Sequence, residues 1–239
     1  MLTAYGEGQD SARAEMEAAL AMWRELNDAD EVVVSLEWLG WAQFLASEDE
    51  AACATFEELL RRQREGGDAI MVNRAQVGLG QVLVALSRVE EARPIAGEIV
   101  AFARQAGDRR SEHSGFHYLA DCALIEGNCE ESLGLYRESL VLAEAIGDRI
   151  ETSAEVEGIA MSLAGLGQHA KAVRLVAATR AEWARSGVNL KLRFWDELHE
   201  RYMAPAREAL GPERAEEAAR SGREMSFEAA VAEARTLSG

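Results

Sequence analysis

Proline is scarce in this chain, with three residues in 239, and aromatic residues make up only 6% of it. So few helix breakers, amid long stretches rich in Ala, Leu, Glu and Arg, exclude a turn-dense β architecture and predict an all-α protein. Strand-type alternation of β-branched residues is also missing. Cysteine is limited to Cys53, Cys122 and Cys129, odd in number, scattered and without CxxC spacing. That excludes a disulfide framework and predicts buried thiols in a reducing compartment. The start, "MLTAYGEGQD", lacks a basic segment followed by an apolar one, and no apolar run reaches the roughly 18 residues that span a bilayer. The expectation is a soluble, cytoplasmic chain without membrane contact. Positive charge is the last shortage: 25 Lys and Arg against 42 Asp and Glu leave a formal charge of −17. Such a field repels phosphate backbones and argues against direct nucleic-acid binding.

What remains is ordinary globular composition, 48% apolar and 28% charged, enough for one or two cores. Its organisation is a repeat. Asn27-Asp28, Gly67-Asp68, Gly107-Asp108, Gly147-Asp148 and Gly187-Val188 recur every 40 residues, each after a helix-like apolar pattern. They read as helix ends followed by a new N-cap. Ser47, Ser87, Gly127 and Gly167 fall between them at the same interval, so each unit is two helices joined by a tight turn. Ser47 with Glu50, Ser87 with Glu90, Asn128 with Glu131, Asp28 with Glu31 and Asp148 with Glu151 have the spacing of a capping box.

Equivalent positions carry equivalent residue types. Leu39, Leu79, Leu119 and Ile159 are each followed by a small residue, Gly40, Gly80, Ala120 or Ala160, and twelve residues later come Ala52, Ala92, Ser132 and Ala172. Small pairs let helix backbones approach and mark where the helices of a unit cross. Phe56, Tyr136 and Val176 would fill the space beside the crossing, whereas Ala96 breaks that pattern. Large-then-small in the first helix with Ala in the second resembles the tetratricopeptide repeat (TPR) over residues 9 to 187. The 40-residue period exceeds the usual 34 and is nearer HEAT or armadillo units, so the residue pattern and not the length carries the resemblance. It implies an α-solenoid of about four to five TPR-like repeats, with full repeats near 28–67, 68–107, 108–147 and 148–187 and capping helices over 188–239.

The ends depart from the pattern. Residues 9–26 match second helices, leaving Met16, Leu20 and Trp23 as an uncapped stripe, expected either to mark a fragment of a longer protein or to pair with another copy as a homodimer. After Gly187 the spacing of Leu190, Trp195, Leu198 and Tyr202 stays helical, but Glu200 stands where a small residue belongs, and Pro205 is expected to kink or restart the helix. Gly211-Pro212 should start another helix, a break should fall near Gly222, and Ser226 should cap a last one. This tail, "AREALG" at 206–211 and "SGREMSFEAAVAEA" at 221–234, resembles the C-terminal end of bacterial STAND-type ATP-dependent transcriptional regulators of the AfsR, MalT and LuxR-related groups. In them a TPR sensor follows a nucleotide-binding domain. No GxxxxGK[ST] loop and no basic recognition helix occur here, so the resemblance implies a sensor or interaction module alone.

First helices line the inner face of a solenoid, which makes that face the candidate site for a protein, a peptide or a small effector. Projection of the repeat places Glu37, Trp38, Trp41, Arg74, Gln81, His113, His117, Tyr118, Asp121, Glu157 and Met161 on it. The aromatics offer flat anchors, or pack between units; the acids favour a basic or donor-rich partner. Only Asn73 and Arg74 suit a carboxylate clamp, which argues against one. His113, His117 and Asp121, four residues apart, stack on one helical face as metal-ligand candidates, yet no fourth ligand, HExxH or cysteine pair accompanies them. The expectation is no metal and no cofactor, with the histidines acting as groove contacts. No GxSxG-like context supports a catalytic triad, and a non-enzymatic function is expected.

Overall fold

The computed structural model describes residues 9–187 and 192–236. Among them are twelve helices and no strand: α1 (Gln9–Leu26), α2 (Ala29–Leu45), α3 (Asp49–Gly66), α4 (Ala69–Ala85), α5 (Val89–Ala106), α6 (Arg109–Glu126), α7 (Cys129–Ile146), α8 (Arg149–Gly165), α9 (His169–Ser186), α10 (Arg193–Leu210), α11 (Pro212–Glu224) and α12 (Phe227–Thr236). From α2 to α9, helices of like rank start 40 residues apart.

The turns explain the interval. Each helix from α1 to α9 is followed by one residue in the left-handed region: Asn27, Gly67, Gly107, Gly147 and Gly187 after second helices, Ser47, Ser87, Gly127 and Gly167 after first helices. Asp28, Asp68, Asp108 and Asp148 follow as N-caps, each accepting a backbone N–H from the first turn of the next helix. The capping boxes expected at Ser47 and Ser87 do not form. Both serines occupy the left-handed position instead, with φ of 60° and 55°, and Glu48 is the residue before α3. Asn128 precedes α7 without a side-chain cap bond.

The helices form two compact units, Met1–Ala92 and Arg93–Gly239, and the division falls inside α5. In the first unit α1 packs on α2, which buries Leu20 and half-buries Met16 and Trp23, so the terminal stripe is largely covered. Phe56 of α3 is wedged between Gly40 of α2 and Gly78 of α4, where a Cβ on either glycine would overlap its ring. In the second unit the Tyr136 ring of α7 lies against Gly158 of α8 in the same way. Phe56 and Tyr136 are each followed 22 residues later by glycine, whereas Ala96 is followed at that distance by Tyr118. Beside Ala96 the close approach comes at Gly115 instead, where a Cβ would meet the Ala96 carbonyl and Val100, and Tyr118 holds the sequence position of the two glycines.

The C-terminal helices continue the second unit. Pro205 sits inside α10 without ending it, exposed and costing one backbone donor. Leu190 lies outside the described residues. Pro212 begins α11, which runs past Gly222; that glycine lets α11 approach the Arg174 carbonyl of α9, and the break comes at Met225. Ser226 Oγ accepts the Ala229 N–H at the start of α12. Phe227, Ala230, Val231 and Ala234 form the buried stripe of α12, spaced as one helical face and set against α7, α8 and α9.

Candidate functional site

Five of the expected contact residues lie in the first unit. Trp38 is 61% exposed, an unusual state for tryptophan. Val34 one turn earlier and Ile70 and Met71 at the start of α4 are exposed as well. Between α2 and α4, Arg74 Nε donates to Glu37 Oε1 at 2.5 Å. Trp41 is half-buried, with its ring 5.3 Å from that of Phe56 in an edge contact. On α4 the Asn73 Oδ1 and Gln81 Nε2 atoms are buried without a hydrogen-bond partner, one an acceptor and one a donor. The α2–α4 face of the first unit thus presents exposed apolar side chains beside an ion pair that joins the two helices.

The remaining six are in the second unit, and none lies open to solvent. His113, His117, Tyr118, Asp121, Glu157 and Met161 are all buried, where projection of the repeat would leave them lining an open face. The cause is a polar network that closes over them. Glu155 Oε1 of α8 meets His113 Nε2 at 2.8 Å and His117 Nδ1 at 2.7 Å. On the other side of the ring, His117 Nε2 is 3.4 Å from Asp121 Oδ2, and Tyr136 donates its hydroxyl to Asp121 Oδ1 at 2.5 Å. Trp195 of α10 stacks on His117, centroids 5.7 Å apart, and its Nε1–H points at Glu157 Oε2 at 3.3 Å. Thr179 donates to Glu157 Oε1 at 3.0 Å, and Arg180 stands 3.6 Å from the same oxygen.

Burial and pairing compete at each titrating group. Burial opposes a charged His117, but the Asp121 and Glu155 carboxylates raise it to about 10. Burial likewise opposes a charged Glu155, and the two histidines outweigh it, holding the carboxyl down at about 2. At Asp121 burial wins, lifting the carboxyl to about 6 against the pull of His117 and the Tyr136 hydroxyl. Burial also raises Glu157, despite Arg180. The core of this unit therefore holds an imidazolium between two carboxylates, a structural charge cluster.

Both imidazoles point a nitrogen at Glu155, and among the described residues no group of three or more His, Cys, Asp or Glu side chains is placed to hold a metal ion. Sequence reading missed Glu155, Trp195 and Tyr136. The available signal was the offset between successive first helices: Glu37 meets Arg74, His117 meets Glu155 and Glu157 meets Trp195, each 37 or 38 residues on. The three cysteines are buried and free, and among the described residues no helix is long and apolar enough to cross a membrane.

No family model matches the chain, and no curated protein sequence matches it either. Among solved structures, the nearly identical TPR-like repeats of a Podosopora anserina protein described as a kinesin light chain align with a TM-score of 0.56 at 18% identity. The match covers 86% of this chain and 97% of that one. At this identity the likeness is one of fold: an all-α, TPR-like solenoid.

Proposed function

We propose that this TPR-like chain is a non-enzymatic interaction module that takes a peptide or protein segment on the α2–α4 face of its first unit. The observation that carries the reading is the exposed apolar set Val34, Trp38, Ile70 and Met71, beside the Glu37–Arg74 pair. Large exposed apolar side chains grouped on one face are what a monomer avoids and a binding surface needs. The histidine groove residues of the second unit take a structural part in this reading, because their polar atoms face one another.

Selection of a displayed peptide library against the intact chain tests this. Selected peptides should bind Trp38→Ala at least about tenfold more weakly. Replacement of Val141, an exposed apolar residue of the second unit, should leave their affinity unchanged. Peptides indifferent to Trp38 would sink the assignment.

The wider role we propose is that of the sensor part of a bacterial transcriptional regulator. Its support is the tail at 206–211 and 221–234, which forms the end of α10, the last turn of α11 and most of α12. Trp38→Ala in the native gene should then alter transcript levels as a deletion does; an unchanged transcript profile in both would remove the regulatory role while leaving the binding face. A self-association reading draws on α1, where Met22 and Leu26 are 46% and 62% exposed. Light scattering should find an oligomer that Leu26→Glu dissolves, and a monomeric wild type would end it.

A further inference from the structure

A cleft of about 490 Å³ opens in the second unit between α12 and the junction of α7 with α8, at Gly147. The cleft is open to solvent, and its volume falls in the range of small-molecule sites. Ala232 of α12 is exposed on its apolar side, where the buried Phe227 and Val231 show only their edges, faced by Thr152 of α8. Its charged groups come as two opposite pairs. Arg149 Nη1 is 3.1 Å from Glu228 Oε1, and Arg235 pairs with Glu144. The Arg149 guanidinium also lies 4.6 Å from the centre of the Phe227 ring, so cationic and apolar recognition meet at one point.

The two partners of Arg149 are not equal. Glu182, 15% exposed, accepts from Arg149 Nη2 at 2.6 Å and anchors the side chain. Glu228 is 71% exposed, and an ion pair this open contributes about 0–1 kcal/mol, so a competing carboxylate displaces it at little cost. Around the cleft two carboxylates balance two guanidinium groups, although the whole chain carries −17. A ligand with one charge would leave the opposite pair strained; one with both charges next to each other matches both.

We propose that this cleft binds a free amino acid with an apolar side chain. Its carboxylate sits on Arg149 in place of Glu228, its ammonium is held by Glu144 and the released Glu228, and its side chain lies over Ala232 against the edges of Phe227 and Val231. Because the ligand touches α12 on one side and the α7–α8 junction on the other, binding fastens the last helix to the unit. The proposal is independent of the α2–α4 face.

Calorimetric titration and thermal unfolding of the intact chain with L-phenylalanine and L-leucine test it. Phenylacetate, phenethylamine and glycine supply ligands lacking the ammonium, the carboxylate or the side chain. Expected are saturable binding and a raised Tm for the two amino acids, with each control at least about tenfold weaker. Ala232→Trp, at an exposed position, should fill the cleft and abolish binding with the Tm of the free chain kept; Glu228→Gln should weaken binding about tenfold. Absence of saturable binding by either amino acid, equal binding of phenylacetate, or undiminished binding to both variants overturns the assignment.

Discussion

Gly158 has no room for a methyl group, since a Cβ there would overlap the Tyr136 ring. Gly158→Ala should destabilise the chain by about 1–3 kcal/mol, read from urea unfolding, through overpacking alone. His117 makes a different prediction. Its folded value lies above the unfolded one, so its contribution is complete below about 6.5 and is lost as pH rises through about 10. Glu155 runs the other way: its contribution is complete above about 4.5 and is lost as pH falls towards about 2. Asp121, raised by burial, opposes folding above about 6, and that cost is relieved as pH falls from about 6 towards 3.8. His117→Gln leaves Glu155 and Asp121 buried without their cation, so it should cost about 3–5 kcal/mol at neutral pH and flatten the alkaline decline. Unfolding free energies measured from pH 6 to 10 check both effects; an alkaline decline equally steep in the variant would assign the slope to other groups.

At the scale of elements, the turns are the most testable parts. Ser87 holds a left-handed conformation that Gly127 and Gly167 adopt in the matching turns. Ser87→Gly should therefore stabilise the chain by roughly 0.5–1 kcal/mol, the strain relieved less the entropy lost. Asp68→Ala removes the oxygen that accepts from Ile70 and Met71 and should cost about 1 kcal/mol. Thermal melts of the two variants should move in opposite directions. These turns also show how far sequence alone reaches. Helix ends at Gly67, Gly107 and Gly147 are legible because glycine and aspartate act locally, within one turn. Ser47 and Ser87 mislead because serine suits both an N-cap and, less comfortably, the left-handed position, and only the recurrence of Gly127 and Gly167 in the same register decides between them. The site is less legible than the fold. His113 and His117 can be placed on the inner side of α6 from periodicity, but their burial depends on Glu155 and Trp195, which lie 38 to 78 residues away. Trp38 and Trp41 are three residues apart on one helix, yet only the position of Phe56 in α3 separates the half-buried ring from the exposed one.

Over the whole molecule the excess negative charge is uneven. Residues 1–92 hold 18 acids and 7 arginines, a net of −11 from a total of −17. Screening of this repulsion should raise the Tm between low and moderate salt, whereas loss of ion pairs such as Arg74–Glu37 would lower it. Because exposed pairs contribute little individually, the net change expected is a rise of a few degrees, and a fall would mean the pairs dominate. The alternation of glycine and tyrosine 22 residues after Phe56, Ala96 and Tyr136 has a consequence for how such a chain can grow or shrink. Phe56 requires a glycine at the next first helix, Ala96 precedes a tyrosine, and Tyr136 again requires a glycine. Excision of residues 68–107 would keep the 40-residue phase and yet bring Phe56 against Tyr118, two aromatic rings in a space for one. Excision of residues 68–147 would bring it against Gly158, which accepts it. Duplication and loss in this chain should therefore be tolerated two repeats at a time: the period written in its turns is 40 residues, and the period written in its packing is 80.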